Sequence, residues 1–174
     1  MTISYLEGLG SPQKVELKHK RGTGEMYQKI LIPLDGSALA ECVLPHAKAI
    51  ARGCSTKKIV LLRVVEPPAT LAAEGIGFVA LQNADKGTAE AYLARIQAQL
   101  SSEGFDVSSE VLTGRAAEAI SEFAQQNAVD LIAIATHGRS GISRLVFGSV
   151  TDRLIRSSSV PILLIRPRGD EAGS

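Results

Sequence analysis

Three observations predict an α/β protein built on an open, five-stranded parallel sheet with helices on both faces. Short aliphatic runs recur along the chain, the segments between them carry helical periodicity, and strands alternate with helices as right-handed crossovers require. The chain has 174 residues, enough for one well-buried domain and short for two. Residues 1–27 read as a flexible N-terminal extension, 28–168 as the domain and 169–174 as a tail. The expected strand order is 3-2-1-4-5.

The extension mixes Gly, Pro and Lys without a sustained period, as loose termini do. From Lys29, KILIPLD is a continuous apolar run of the kind found in a parallel strand buried on both faces, and it ends on Asp35. The next segment, GSALAECVLPHAKAIARG, sets Leu39, Cys42, Val43, His46, Ala49 and Ile50 at helical spacing. Ser37 is its expected N-cap and Gly53 its stop, and His46 is expected to pack. Pro45 lies too deep for a first turn, so a bend near Leu44 is predicted. KKIVLLRVV, Lys57 to Val65, is the second strand, closed by Glu66, Pro67 and Pro68. A long connection, PPATLAAEGIGF, leads to a helix from Val79 to Glu103 with Tyr92, Ile96 and Leu100 on one face and Gly104 beyond its end. DVSSEVLT alternates apolar and polar residues and suits an edge strand. Arg115 to Ala128 forms a helix with Ala116, Ile120, Phe123 and Ala124 inward, DLIAIA a fourth strand, and Ile162 to Ile165 the last.

Composition removes several classes of function. The net charge of +1, with 19 Lys and Arg against 18 Asp and Glu, offers no broad basic surface for nucleic acid. No apolar run approaches the about 18 residues of a membrane span. Cys42 and Cys54 form no C-x-x-C pair, so a redox motif or zinc site is not suggested and both are expected to be reduced. With no basic segment leading into an apolar one at the N-terminus, the expected compartment is the cytoplasm.

Two strand ends carry the polar residues of a candidate site: Asp35 after the first strand, and Thr136-His137-Gly138-Arg139-Ser140-Gly141 after the fourth. Under the expected order both face one crevice, where doubly wound sheets hold ligands. Gly148 and Ser149 lead into a helix whose first N–H groups attract phosphate oxygens. Neither G-x-G-x-x-G nor G-x-x-x-x-G-K-[ST] occurs. Ser149 has a structural alternative, because S-V-T-D is a capping-box pattern, and Asp35 has one as the cap of the next turn. His137 has no evident carboxylate to orient it and reads as a loop residue. Arg139 and Arg144 offer guanidinium forks for phosphate, or are plain surface arginines, and Gly141 relaxes the loop.

The stretch ATHGRSGISRLVFGSVTDRLIRSSSVPILLIRP, with KILIPLDGS near the front and VLLRVVEPP after it, resembles the universal stress protein family from about Lys29 to Pro167. The nucleotide-binding branch of that family shares a G-x-x-G-x(9)-G-[ST] signature. The chain matches it from Gly138 to Gly148-Ser149 and departs at the first position, where Ala135 stands for glycine. Alanine still presents a backbone carbonyl to a ribose. The resemblance implies an adenine nucleotide alpha hydrolase-like, Rossmann-like fold that binds ATP, with AMP, cyclic AMP or another adenine nucleotide as alternatives. It places Pro33 and Val64 against adenosine, Ala135 and Asp35 near the ribose or phosphate, and Gly138, Arg139, Gly148, Ser149, Val150 and Thr151 around the phosphates. Asp35 would also help hold Mg²⁺ brought with ATP. A homodimer through Val160 to Arg166 is implied, which agrees with the hazard of an exposed apolar edge. The function expected is that of a stress-response regulator acting through its dimer and an unidentified regulatory protein, with no nucleic acid or membrane partner. No nucleophile, base and orienter come together in the sequence, so it is expected to be no enzyme, or at most a weak ATPase. The alternatives are a slow ATP hydrolase and a nucleotide-free dimeric interaction module.

Overall fold

The computed structural model describes residues 26–66, 75–136 and 148–166, with only the backbone for 75–84. The strands are β1 (Lys29–Pro33), β2 (Lys58–Val65), β3 (Val107–Thr113), β4 (Leu131–Ala135) and β5 (Ile162–Ile165). They form one parallel sheet in the order β3-β2-β1-β4-β5, which is the expected order. The helices are α1 (Ala38–Glu41), α2 (Val43–Gly53), α3 (Gly75–Ser102), α4 (Ala116–Gln126) and α5 (Ser149–Ser157). Among the described residues no helix is long and apolar enough to cross a membrane.

Side-chain alternation along the central strands divides the core in two. Ile30, Ile32, Ile59, Leu61 and Ala133 pack with Val43, Ala47 and Ala51 of α2 and Leu93, Ile96 and Leu100 of α3. Leu31, Val60, Leu62, Ile132 and Ile134 pack on the other face with Ala117, Ile120 and Ala124 of α4 and Leu154 of α5. This doubly covered sheet explains why β1, β2 and β4 read as unbroken apolar runs. β3, at the edge, buries only Val107 fully, as its alternating sequence requires.

The first helix departs from expectation. It stops at Glu41 and a second helix starts at Val43, with Cys42 between them donating its N–H to Leu39 O at 3.2 Å. Ser37 caps α1 as predicted, its Oγ accepting the Ala40 N–H at 3.1 Å. Because helix numbering restarts at Val43, Pro45 falls in a first turn after all. Its missing N–H is one that no intrahelical carbonyl would have taken. The restart also changes the inward face to Val43, Leu44, Ala47 and Ala51, and leaves His46 exposed rather than packed. Pro45→Ala is therefore expected to lower stability by less than about 1 kcal/mol through the unfolded chain, instead of relieving a strained helix interior. A urea unfolding curve checks it, and a gain of about 2 kcal/mol or more would contradict the assignment.

α3 begins at Gly75, four residues before the expected Val79, while 67–74 of the predicted long connection lie outside the described residues. Its end matches prediction in detail. Gly104 takes φ +89°, the Gly104 N–H reaches Ser101 O at 3.0 Å and the Phe105 N–H reaches Leu100 O at 3.2 Å. That is a Schellman closure. Residues 1–25 and 167–174 lie outside the described residues. Tyr27, expected within the extension, packs against the core, and its carbonyl accepts the Thr56 hydroxyl at 2.6 Å. Cys42 and Cys54 are thiols, each partly buried.

Candidate functional site

β1 and β4 are neighbours at the centre of the sheet, and the helices that follow them leave toward opposite faces. Their C-terminal ends must therefore part, and a crevice opens there. It is a cavity of about 170 Å³ whose walls include Pro33, Asp35, Val64, Ala135, Gly148, Ser149, Val150 and Thr151. The structure thus brings together eight of the ten residues singled out in the sequence. The other two, Gly138 and Arg139, lie outside the described residues, as do His137, Gly141 and Arg144.

The floor is apolar, and its side chains are not among the site residues that the sequence singles out. Leu62 and Ile134 line it from the sheet and Ala116 and Ile120 from α4, with Leu34 and Ala40 completing the wall. Leu62 and Ile134 are core residues, 0 % and 8 % exposed, so the cavity rests on side chains that cannot easily move. Such a floor accepts a flat apolar group, and the polar groups gather at its rim.

At the rim, Asp35 is exposed and its Oδ1 accepts both the Ser37 N–H, at 2.9 Å, and the Ser37 hydroxyl, at 2.6 Å. The capping role weighed for Asp35 is real. Its Oδ2 makes no hydrogen bond among the described residues and remains available to a ligand or cation. Gly36 between them has φ +87°, and a Cβ there would run into the Arg63 guanidinium. Arg63 in turn lies over the Tyr92 ring at 5.4 Å, with Arg95 at 5.5 Å from the same ring and bonded to Glu41 at 2.8 Å. Burial, and then the Glu41 carboxylate, hold the Tyr92 hydroxyl well above its ordinary pKa. The turn carrying Asp35 is braced from behind by this stack.

On the opposite rim, the capping-box reading of Ser149 is corrected. Gly148 is the N-cap of α5, at φ +79° and ψ 145°, and no side chain caps it. Ser149 is the first helical residue and is exposed, so its hydroxyl serves no capping bond and faces the question of ligand instead. The Gly148 carbonyl accepts the Asp152 N–H at 2.9 Å and closes the first turn. The N–H groups of that turn are left for an anion. Ala135 ends β4 in regular strand pairing with Ile165, outside the positive-φ region. Nothing in that backbone demands glycine.

A second cavity of about 230 Å³ shares Ala116, Ser149 and Val150 with the first and adds Glu66, Arg115, Ala117 and Arg153. Glu66 caps α4, accepting the Ala116 N–H at 2.9 Å. The sequence carried a signal for this region, since Glu66 and Arg115 follow β2 and β3 on the same edge where Asp35 follows β1. Among the described residues there is no cluster of three or more His, Cys, Asp or Glu able to hold a metal unaided.

Comparison with known proteins agrees with this architecture. The model of the universal stress protein family matches residues 26–166. The chain is 31% identical over 147 residues to universal stress protein MJ0531 of Methanocaldococcus jannaschii, covering 84% of this chain and 86% of that protein. It is similar to the solved structure of MJ0577 with a TM-score of 0.72 at 30% identity, over 83% of this chain and 99% of the other. An Arabidopsis thaliana universal stress protein family structure with AMP bound shares the fold with a TM-score of 0.62 at 17% identity, over 84% and 96% of the two chains.

Proposed function

This chain belongs to the universal stress protein family, and we propose that it binds an adenine nucleotide, ATP foremost, in the crevice between β1 and β4. The observation that carries the reading is the division of that cavity: an apolar floor of Leu62, Ile120 and Ile134 beneath a rim made by the uncapped start of α5. The floor suits a purine and ribose, and the rim suits phosphates. The AMP held by the Arabidopsis thaliana protein of the same fold supports the nucleotide class. Asp35 Oδ2 supplies the one carboxylate oxygen that Mg²⁺ needs when nucleotide phosphates provide the rest of its shell. The strand geometry of Ala135 supports binding in spite of the departure from the family signature. Native mass spectrometry of the purified chain with excess Mg-ATP is expected to show one nucleotide per subunit. Its absence, where a known nucleotide binder run alongside retains its ligand, would sink the reading.

Regulation in this reading follows occupancy of the crevice, which alters what the protein presents to a second copy and to a regulatory partner protein. We propose that second copy along β5. Ile162 to Ile165 are all only partly buried, and among the described residues β5 pairs with β4 alone, which leaves its outer edge open to a strand of the second copy. Leu164→Lys is expected to shift the chain from dimer to monomer in light scattering, and an unchanged mass would remove this strand from the interface.

A further inference from the structure

We propose that Arg115 and Arg153 count phosphates, making the site favour an adenosine triphosphate over the monophosphate. The inference rests on the nucleotide reading above and adds to it which nucleotide is preferred and by what groups. The second cavity adjoins the first: the two share Ala116, Ser149 and Val150, so a chain of phosphates leaving the start of α5 toward it would meet its lining. Its character differs from that of the inner cavity. Beside Ala116, Ala117 and Val150 it has two guanidinium groups and the Glu66 carboxylate, and Glu66 Oε1 is already occupied by the Ala116 N–H.

Both arginines are held at the mouth by one acid. Arg153 Nη1 stands 3.2 Å and Arg115 Nη1 3.9 Å from Glu118 Oε1. The arginine side chains are 55% and 79% exposed, and pairs as exposed as these hold weakly. Each guanidinium has five N–H donors and spends at most one on Glu118, so phosphate oxygens find free donors without breaking the pair. Glu118 positions the two forks beside each other; the phosphates beyond the first supply the charge that the forks meet. A monophosphate, satisfied at the start of α5, gains nothing from them.

The test is the ratio of AMP to ATP dissociation constants, measured by isothermal titration calorimetry at fixed free Mg²⁺. Three proteins are compared: the unaltered chain, the double variant Arg115→Gln with Arg153→Gln, and Arg156→Gln as a control. Arg156 sits on the same helix but is bonded to Asp152 and lines neither cavity. The ratio is expected to be about tenfold or more in the unaltered chain and in the control, and to fall to about twofold in the double variant. Arg153→Lys, keeping the charge without the fork, is expected between them. An equal ratio in the unaltered and double-variant proteins overturns the inference while leaving nucleotide binding standing. Failure of both AMP and ATP to bind the unaltered chain overturns the nucleotide reading and this inference together.

Discussion

Gly148→Ala is expected to weaken ATP binding by about 30-fold or more while lowering stability by about 1–3 kcal/mol. Gly148 holds φ +79° and ψ 145°, a region in which a Cβ collides with the backbone and which is essentially closed to other residues. An alanine either keeps the conformation at that cost or relaxes toward negative φ. Relaxation turns the Gly148 carbonyl away from the Asp152 N–H and swings the first N–H groups of α5 off the cavity. The four residues Gly148 to Thr151 all line the site, so the loss falls on phosphate binding as well as on the fold. Gly87→Ala is the counterpart. Gly87 lies within α3 with nothing near an added Cβ, and alanine there is expected to stabilise by about 0.5–1 kcal/mol with binding untouched. Calorimetric titration with urea unfolding reads both. Unchanged ATP affinity in Gly148→Ala would mean that the start of α5 does not hold the phosphates.

The sheet was legible in the sequence because each central strand is buried on both faces and so leaves a continuous aliphatic run. β1, β2 and β4 announce themselves in that way, β5 at the edge reads as a strand from its aliphatic run although it is only partly buried, and the end of α3 shows through Gly104. The interruption at Cys42 was not legible in detail. Pro45 signalled a disturbance, but not that a new helix starts at Val43 and takes the proline into its first turn. The identity of Ser149 as first helical residue rather than cap turned on one residue, and Gly148 carries no side chain to reveal that it is the cap. The polar rim of the site was readable because chemistry shows in residue type: Asp35, Gly148 and Ser149 stand out from an apolar background. Its floor was hidden, because Leu62, Ile120 and Ile134 read as core, which they also are. The Arg115 and Arg153 pair was hidden for another reason. The two are far apart in sequence, and while Arg115 meets Glu118 three residues on, only the packing of α4 against α5 brings Arg153 to the same acid.

That double duty of core and floor gives the second large effect. Leu61 and Leu62 are adjacent on β2, both 0 % exposed, and point to opposite faces. Truncating either to alanine removes about three buried carbon atoms from a close-packed interior and is expected to cost about 2–5 kcal/mol. By stability alone the two variants are hard to tell apart. By binding they separate, because Leu61 packs against α2 and α3 while Leu62 forms part of the cavity floor. Leu61→Ala is expected to leave the ATP dissociation constant within about twofold, so long as the protein is assayed well below its lowered unfolding transition. Leu62→Ala replaces a firm floor by an extra void beneath the purine and loses its contacts, with an expected loss of about tenfold or more. Equal binding losses in both variants would mean that affinity follows general loosening of the sheet. Equal retention would move the adenosine away from Leu62, and with it the division of the cavity on which the nucleotide reading stands.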